Sequence, residues 1–353
     1  MSAEHADWTT HDVQVDAPAG VVYTLMADAE NWPLYFSENV HVERLEFDGE
    51  HERLRMWALM GGRLESCIMH RRLDPVERRI DWWHEQPAAP LDFMTGALSV
   101  RAEGPRTSAA HVRHTLGVVD DRPADLAWAR DAVDRNSRIH LADLKGLAER
   151  WTRLDELTLA FEVSTRVNGS PELVYDFLYR AADWPGRVPH VARAALVEDV
   201  PGVQHLILDT HTEHGAQTTE SVRICFPHAG RIVYKETAPA APLAAHIGEW
   251  SVAPDETGVS VSMRHRVALR DGHGGTAGPD GRAGLADVRR QVHRSLSEAS
   301  RTLLALAKQH AESAVRMLRQ EGLPGLDRGP ALGRRSDAAA HPLGRSDAVA
   351  PGR

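Results

Sequence analysis

Two cysteines, Cys67 and Cys225, are all that the 353 residues contain. That is too few for a disulfide framework or a cysteine-built zinc site, and it suits a reducing cytoplasm. Positive charge is scarce as well: 41 Lys and Arg stand against 50 Asp and Glu, a formal net charge of -9, which leaves no basic surface for nucleic acid. No stretch approaches about 18 uninterrupted apolar residues, so no membrane span is expected. The opening "MSAEHADWTTHDVQV" lacks a basic stretch followed by an apolar core, and no signal peptide is expected there. A phosphate-cradling Gly-rich loop between strand and helix is missing too, since "GGTAGPDGRAG" has no flanking strand and reads as a linker, a candidate pocket lid. These absences predict an enzyme or binding protein without cofactor or metal. In "HTEH" (211 to 214) strand alternation would part His214 from His211 and Glu213, so the trio does not converge on an ion.

What the chain does have is a repeat. "ENWPLYF" begins at Glu30 and "ADWPGR" at Ala182, placing Trp184 and Pro185 each 152 positions beyond Trp32 and Pro33. At the same offset Val22-Tyr23 meets Val174-Tyr175, Arg71 meets Arg223, Pro75 meets Pro227, Arg79-Ile80 meets Arg231-Ile232, and Ser99-Val100 meets Ser251-Val252. One residue of slippage then brings "VRHTLGV" over "MRHRVAL", and His114 over His265. A unit of this length is a whole domain, not a solenoid repeat. The expected organisation is therefore a domain over 1–154, its copy over 155–320, and a disordered tail over 321–353, where "LGRRSDAAAHP" and "LGRSDAVAP" form a low-complexity near-repeat.

Within each copy "THDVQVDAP" and "AFEVSTRVNGSP" alternate as strands do. "PAGVVYTLMADAENW" and "SPELVYDFLYRAADW" then read as helices, the second with Ser170 as N-cap and Pro171 at the first helical position. Several strands follow, broken by turn signals, and long amphipathic helices close the copies over about 124–150 and 284–318. That order predicts an α+β fold: two tandem domains, each a curved antiparallel sheet wrapped around its long C-terminal helix with a pocket between them. In "SVRICF" alternation sets Ser221, Arg223 and Cys225 on one face and Val222, Ile224 and Phe226 on the other. If the polar face lines the pocket, the apolar outer face packs on the other domain or on a second subunit, which leaves room for a homodimer.

Both copies resemble the START-like, Bet v 1-like superfamily in their strand, Pro-turn, helix, Trp-Pro opening, and the resemblance implies two tandem helix-grip domains. The tandem arrangement, with an Arg at the same strand position of each copy, resembles the didomain aromatase/cyclases of bacterial type II polyketide synthases over about residues 9 to 312. The resemblance implies first-ring aldol cyclisation, dehydration, or both, of a poly-β-ketone that a ketoreductase has already reduced and that an acyl carrier protein delivers. The ketosynthase with its chain-length factor and the ketoreductase would be further partners. It also implies a catalytic pocket arginine, which falls on Arg223 and Arg71, with Ser221 two residues before the former and Met69 before the latter. Trp250 matches an aromatic pocket residue where the first copy has Leu98. The tyrosine that relatives place after Trp-Pro is absent, Asn39 and Val191 standing there.

A fixed guanidinium in a water-poor pocket stabilises a developing oxyanion without titrating away, and a histidine suits the proton transfers of dehydration. Substrate contacts are accordingly expected from Trp184, Trp250, Trp32, His190, His246 and His265, with the C-terminal copy carrying more of the chemistry. The competing reading is a non-catalytic protein that binds or transfers a lipid or polyketide in the same cavity.

Overall fold

The computed structural model describes residues 6–60, 63–212, 215–271 and 282–321. The 322–353 tail, Glu213 and His214 of "HTEH", and most of the expected lid lie outside them. The first repeat opens with β1 (Asp7–Val15), α1 (Ala19–Ala27) and the one-turn α2 (Trp32–Tyr35). Five strands follow, β2 (Asn39–Phe47), β3 (His51–Met60), β4 (Arg63–Asp74), β5 (Arg79–His84) and β6 (Leu91–Gly104). β7 (Thr107–Val118) and the helix α3 (Pro123–Ala148) complete it, and α4 (Leu154–Leu157) links to the second repeat. That copy runs β8 (Thr158–Val167), α5 (Pro171–Tyr179), β9 (Val191–Val200), β10 (Val203–Thr212), β11 (Gly215–Phe226), β12 (Arg231–Glu236), β13 (Leu243–Asp255), β14 (Gly258–Leu269) and α6 (Arg282–Glu321).

Each repeat is one seven-stranded antiparallel sheet, ordered β1-β7-β6-β5-β4-β3-β2 and β8-β14-β13-β12-β11-β10-β9. The first strand of each copy closes on the last, so six consecutive strands meander and one returns to the edge. Local chemistry sets the helix starts. Ser170 caps α5 by accepting from the Leu173 amide, with Pro171 needing no donor partner at the next position. Along α3, Ala129, Val133, Ser137, Leu141, Leu144 and Ala148 are buried at spacings of three and four, a single stripe laid on the sheet. In the second repeat Leu303, Leu304, Ala307 and Ala311 of α6 join Trp184, Ile232, Trp250 and Met263 in the matching core.

The outer face of β11 is covered by the first repeat. Val222 and Ile224 are buried against Val40 and Trp57, with Phe226 edge-on to the Trp57 ring at 5.5 Å. The matching outer residues of the first sheet are His70, Arg72 and Asp74, and His70 stacks on Trp83 near the surface. The apolar outer face noted in the sequence therefore meets the other domain within the same chain. Among the described residues no helix is long and apolar enough to cross a membrane.

Candidate active site

Between the second sheet and α6 lies a cavity of about 740 Å³. Its walls bring together Ser221, Arg223, Trp184, Trp250, His190, His246 and His265. These come from β11, β13, β14 and the turn after α5, segments spread over about eighty residues of chain. Period-two alternation explains the convergence: Tyr234 and Glu236 of β12, His246 and Trp250 of β13, and Met263 and His265 of β14 all point to the concave face. Gly248 sits among them because a Cβ there would come within 2.2 Å of the Tyr234 ring. Ser221 is half-buried, its hydroxyl 3.5 Å from the Leu206 carbonyl. His190 stands at the rim, its pKa lowered by burial.

Arg223 is 2% exposed. Its Nη2 donates to the Leu178 carbonyl at 2.5 Å, the guanidinium lies 5.7 Å from the Trp184 ring, and Nη1 has no hydrogen-bond partner. The indole of Trp184 is itself fixed by donating to the Phe177 carbonyl. Burial lowers the pKa of Arg223, yet a guanidinium remains charged at any working pH. Among the described residues no carboxylate stands within ion-pair distance of it.

Arg71 has the opposite environment. It is 1% exposed, ion-paired to Glu52 at 2.5 Å, donates to the Met26 and Ala27 carbonyls, and stacks 4.7 Å from the Trp32 ring. Both its charge and its donors are engaged by the protein, and Trp32 lies in the core of the first repeat. The difference traces to one position. Glu52 is the cross-strand partner of Arg71, and the same place opposite Arg223 is held by Gln204. Comparing the copies at the 152-residue offset shows Glu against Gln there, a signal that reading the two arginines alone misses. Glu52→Ala is expected to cost about 3–5 kcal/mol of stability, since it strands a buried guanidinium, and denaturant unfolding measures it.

Beside Arg223 the cavity holds a chain of polar contacts. Glu236 Oε1 lies 2.7 Å from His246 Nδ1, His246 Nε2 lies 3.0 Å from His265 Nδ1, and His265 Nε2 lies 2.7 Å from the Ser300 hydroxyl on α6. A carboxylate only accepts, so one donor direction satisfies the chain: His246 Nδ1–H to Glu236, His265 Nδ1–H to His246, and Ser300 O–H to His265. Glu236 Oε2 is buried without a partner. Burial brings the pKa of His265 down to about 3, and His246 and His293 push the same way. Sequence reasoning found both histidines but not Glu236, Tyr234 or Ser300, whose neighbours carry no motif.

Burial also brings His114, in the first repeat, down to about 4 from an ordinary 6.5. Because both folded values lie below the unfolded one, protons taken up below about pH 6.5 go first to the unfolded chain. Stability is expected to fall as pH drops from about 6.5 toward 4, by about 2 kcal/mol or more for each imidazole. Thermal melts across that window check it, and His114→Gln should flatten the slope.

No protein-family model matches the chain. It is 35% identical over 326 residues to the actinorhodin polyketide synthase bifunctional cyclase/dehydratase of Streptomyces coelicolor, covering 89% of this chain and 99% of that one. The chain belongs to the didomain polyketide cyclase/dehydratases. The granaticin polyketide synthase cyclase/dehydratase of Streptomyces violaceoruber is 36% identical, over 87% of this chain and 94% of the relative. Among solved structures the di-domain aromatase/cyclase BexL of the BE-7585A biosynthetic pathway aligns with a TM-score of 0.76 and 40% identity, over 87% of this chain and 99% of that one. StfQ, from the steffimycin pathway, gives 0.74 and 31% over the same shares. The helix-grip architecture of this cyclase/dehydratase and its class of chemistry thus agree with what the family resemblance implied.

Proposed function

We propose that the second cavity is where this polyketide cyclase/dehydratase does its chemistry, on a ketoreduced poly-β-ketone carried by an acyl carrier protein, closing and then dehydrating the first ring. The observation that carries this is Arg223, a buried cation with no ion pair among the described residues and no partner for Nη1, in a cavity large enough for a folded polyketide chain. A flexible polyketone has many possible rings, and a shaped pocket that holds one fold supplies on the order of 7 kcal/mol through orientation. Trp184 and Trp250 form flat walls for that fold.

In the aldol step a proton leaves the carbon between two carbonyls, and the resulting enolate carbon bonds to a distant carbonyl carbon. The electron pair of that carbonyl becomes an alkoxide, which Arg223 Nη1–H stabilises as it forms. Protonation of the alkoxide gives the hydroxy ketone. Loss of a second α-proton and departure of the protonated hydroxyl as water then leave the double bond. Neutral by burial and hydrogen-bonded at both ring nitrogens, His265 would reach these protons through Ser300, whose hydroxyl takes the substrate proton as it passes its own to His265 Nε2 and reverses the transfer to return it, while His246 and Glu236 hold the tautomer and offset the imidazolium charge. Ser221 would hold the substrate, and His190 would close the rim. Arg71 and Trp32 would serve the fold of the first repeat.

Reconstitution of a type II synthase with and without the protein, read by product mass spectrometry, tests the assignment. One dominant cyclised, dehydrated product should replace the mixture formed by spontaneous closure. An unchanged mixture would favour a carrier role for the cavity.

A further inference from the structure

The cavity chemistry leaves one buried cation of the second sheet unused. Lys235, on β12, is 4% exposed and faces away from the cavity. Its Nζ donates to the carbonyl oxygens of Phe36 at 2.7 Å and Ser37 at 2.9 Å, in the turn after α2 of the first repeat, and of Asn39 at 2.8 Å, the first residue of β2. Three carbonyl acceptors favour the ammonium, because a neutral amine would set its lone pair against one of them. Burial brings its pKa down to about 7 from an ordinary 10.5, with Asp143 and Glu38 pulling the other way, and in either protonation state Nζ keeps N–H groups for these acceptors.

Two more cations of the second repeat grip the same region. Arg231 Nη1 donates to Glu43 Oε1 at 3.0 Å, and Arg266 donates to the Glu30 carbonyl and to Asn31 Oδ1. In the second repeat the corresponding stretch supplies Trp184, Val188, His190 and Val191 to the cavity wall. One stretch of the duplicated domain is therefore a cavity rim in the second copy and a seat for its sister domain in the first. The relation runs one way, since the position matching Lys235 is Trp83, which is 41% exposed.

We propose that Lys235 is a positioning residue for the cyclase site: it pins β12 to the first repeat and so holds Glu236 against His246. Lys235 sits between Tyr234 and Glu236, whose side chains point into the cavity while its own points into the sister domain. A strand fixed on its outer side cannot slide or rotate under its inner side chains, and a misplacement of about 1 Å at a reacting centre can cost about a hundredfold in rate. The first repeat then acts on the reaction through the backbone of β12 with no contact to substrate. Only the effect on turnover rests on the second cavity being the reactive one; the effect on the Glu236–His246 contact does not.

The test uses the full-length chain and two variants, Lys235→Met and Lys235→Arg. Without substrate, the downfield proton resonance of His246 Nδ1–H is recorded by NMR and assigned by its loss in His246→Phe. With the reconstituted synthase, turnover is followed alongside. Lys235→Met is expected to shift or broaden that resonance and to lower kcat by about tenfold or more with little change in KM, and Lys235→Arg, which can still donate to the carbonyls, to restore both in part. A folded Lys235→Met with an unchanged resonance overturns the proposal whatever its turnover. Should the Met variant not fold, Lys235→Gln carries the same test. Failure of the cavity reading shows separately, as an Arg223→Gln variant that keeps its turnover.

Discussion

Replacing Arg223 with Gln lowers the rate of cyclised product formation by about 10²- to 10³-fold while the circular dichroism spectrum stays that of the parent protein. The size follows from what removal of one preorganised oxyanion donor costs in a water-poor site, about 3–4 kcal/mol. The fold should tolerate the change. Arg223 has no buried carboxylate to abandon, and Gln, two bonds shorter, gives up only the donor that Nη2 now supplies to the Leu178 carbonyl, a cost of about 1–3 kcal/mol. Arg71→Gln provides the contrast within the same chain. There Glu52 would be left buried opposite a neutral group, so stability falls while the folded fraction keeps its product profile. Product mass spectrometry normalised to folded protein separates the two outcomes.

His265→Phe is expected to reduce dehydration by about 10²- to 10⁴-fold, the usual contribution of a positioned acid or base. Cyclised but still hydrated product should accumulate, since the aldol closure depends more on chain folding and on Arg223. Phe fills the same space beside Phe161, whose ring now stacks on His265 at 4.8 Å, so the core has no cavity to answer for. Glu236→Gln should act in the same direction and more weakly. Its amide can still contact His246, but the negative charge that favours the imidazolium is gone. Equal loss of closure and dehydration in His265→Phe would mean that the imidazole shapes the cavity without moving protons.

Much of this was legible in the chain because a duplicated sequence carries its own comparison. The 152-residue offset aligned Arg71 with Arg223 and marked Trp250 against Leu98, and period-two alternation gave the apolar outer face of "SVRICF", which the structure shows packed on Trp57. Helix ends came close as well: about 124–150 was expected for α3, which runs Pro123–Ala148. The difference between the arginines was not read, although Met60 pairs with Arg63 and Thr212 with Gly215 and the same registers bring Glu52 and Gln204 opposite them. A charge partner on the neighbouring strand leaves no local pattern. Lys235 was harder still, because its three acceptors are main-chain carbonyls almost two hundred residues away and carbonyls have no sequence signature. Glu236 and Ser300 joined the site for a similar reason: each is defined by a histidine on another element.

The central claim is that Gln204, by withholding a counter-charge, leaves the second guanidinium free to act while Glu52 occupies the first. Gln204→Glu tests it most directly when made together with Glu198→Gln: Gln204 Nε2 now donates to Glu198 Oε2 at 2.8 Å, and the exchange keeps that contact while rebuilding beside Arg223 the pair that Arg71 already has. Measured in the reconstituted synthase, the variant should fold as the parent does yet lose most of its cyclised product, by about tenfold or more, as the new carboxylate takes up Arg223 Nη1. A folded Gln204→Glu, Glu198→Gln protein with the parent's rate and product profile would contradict the account.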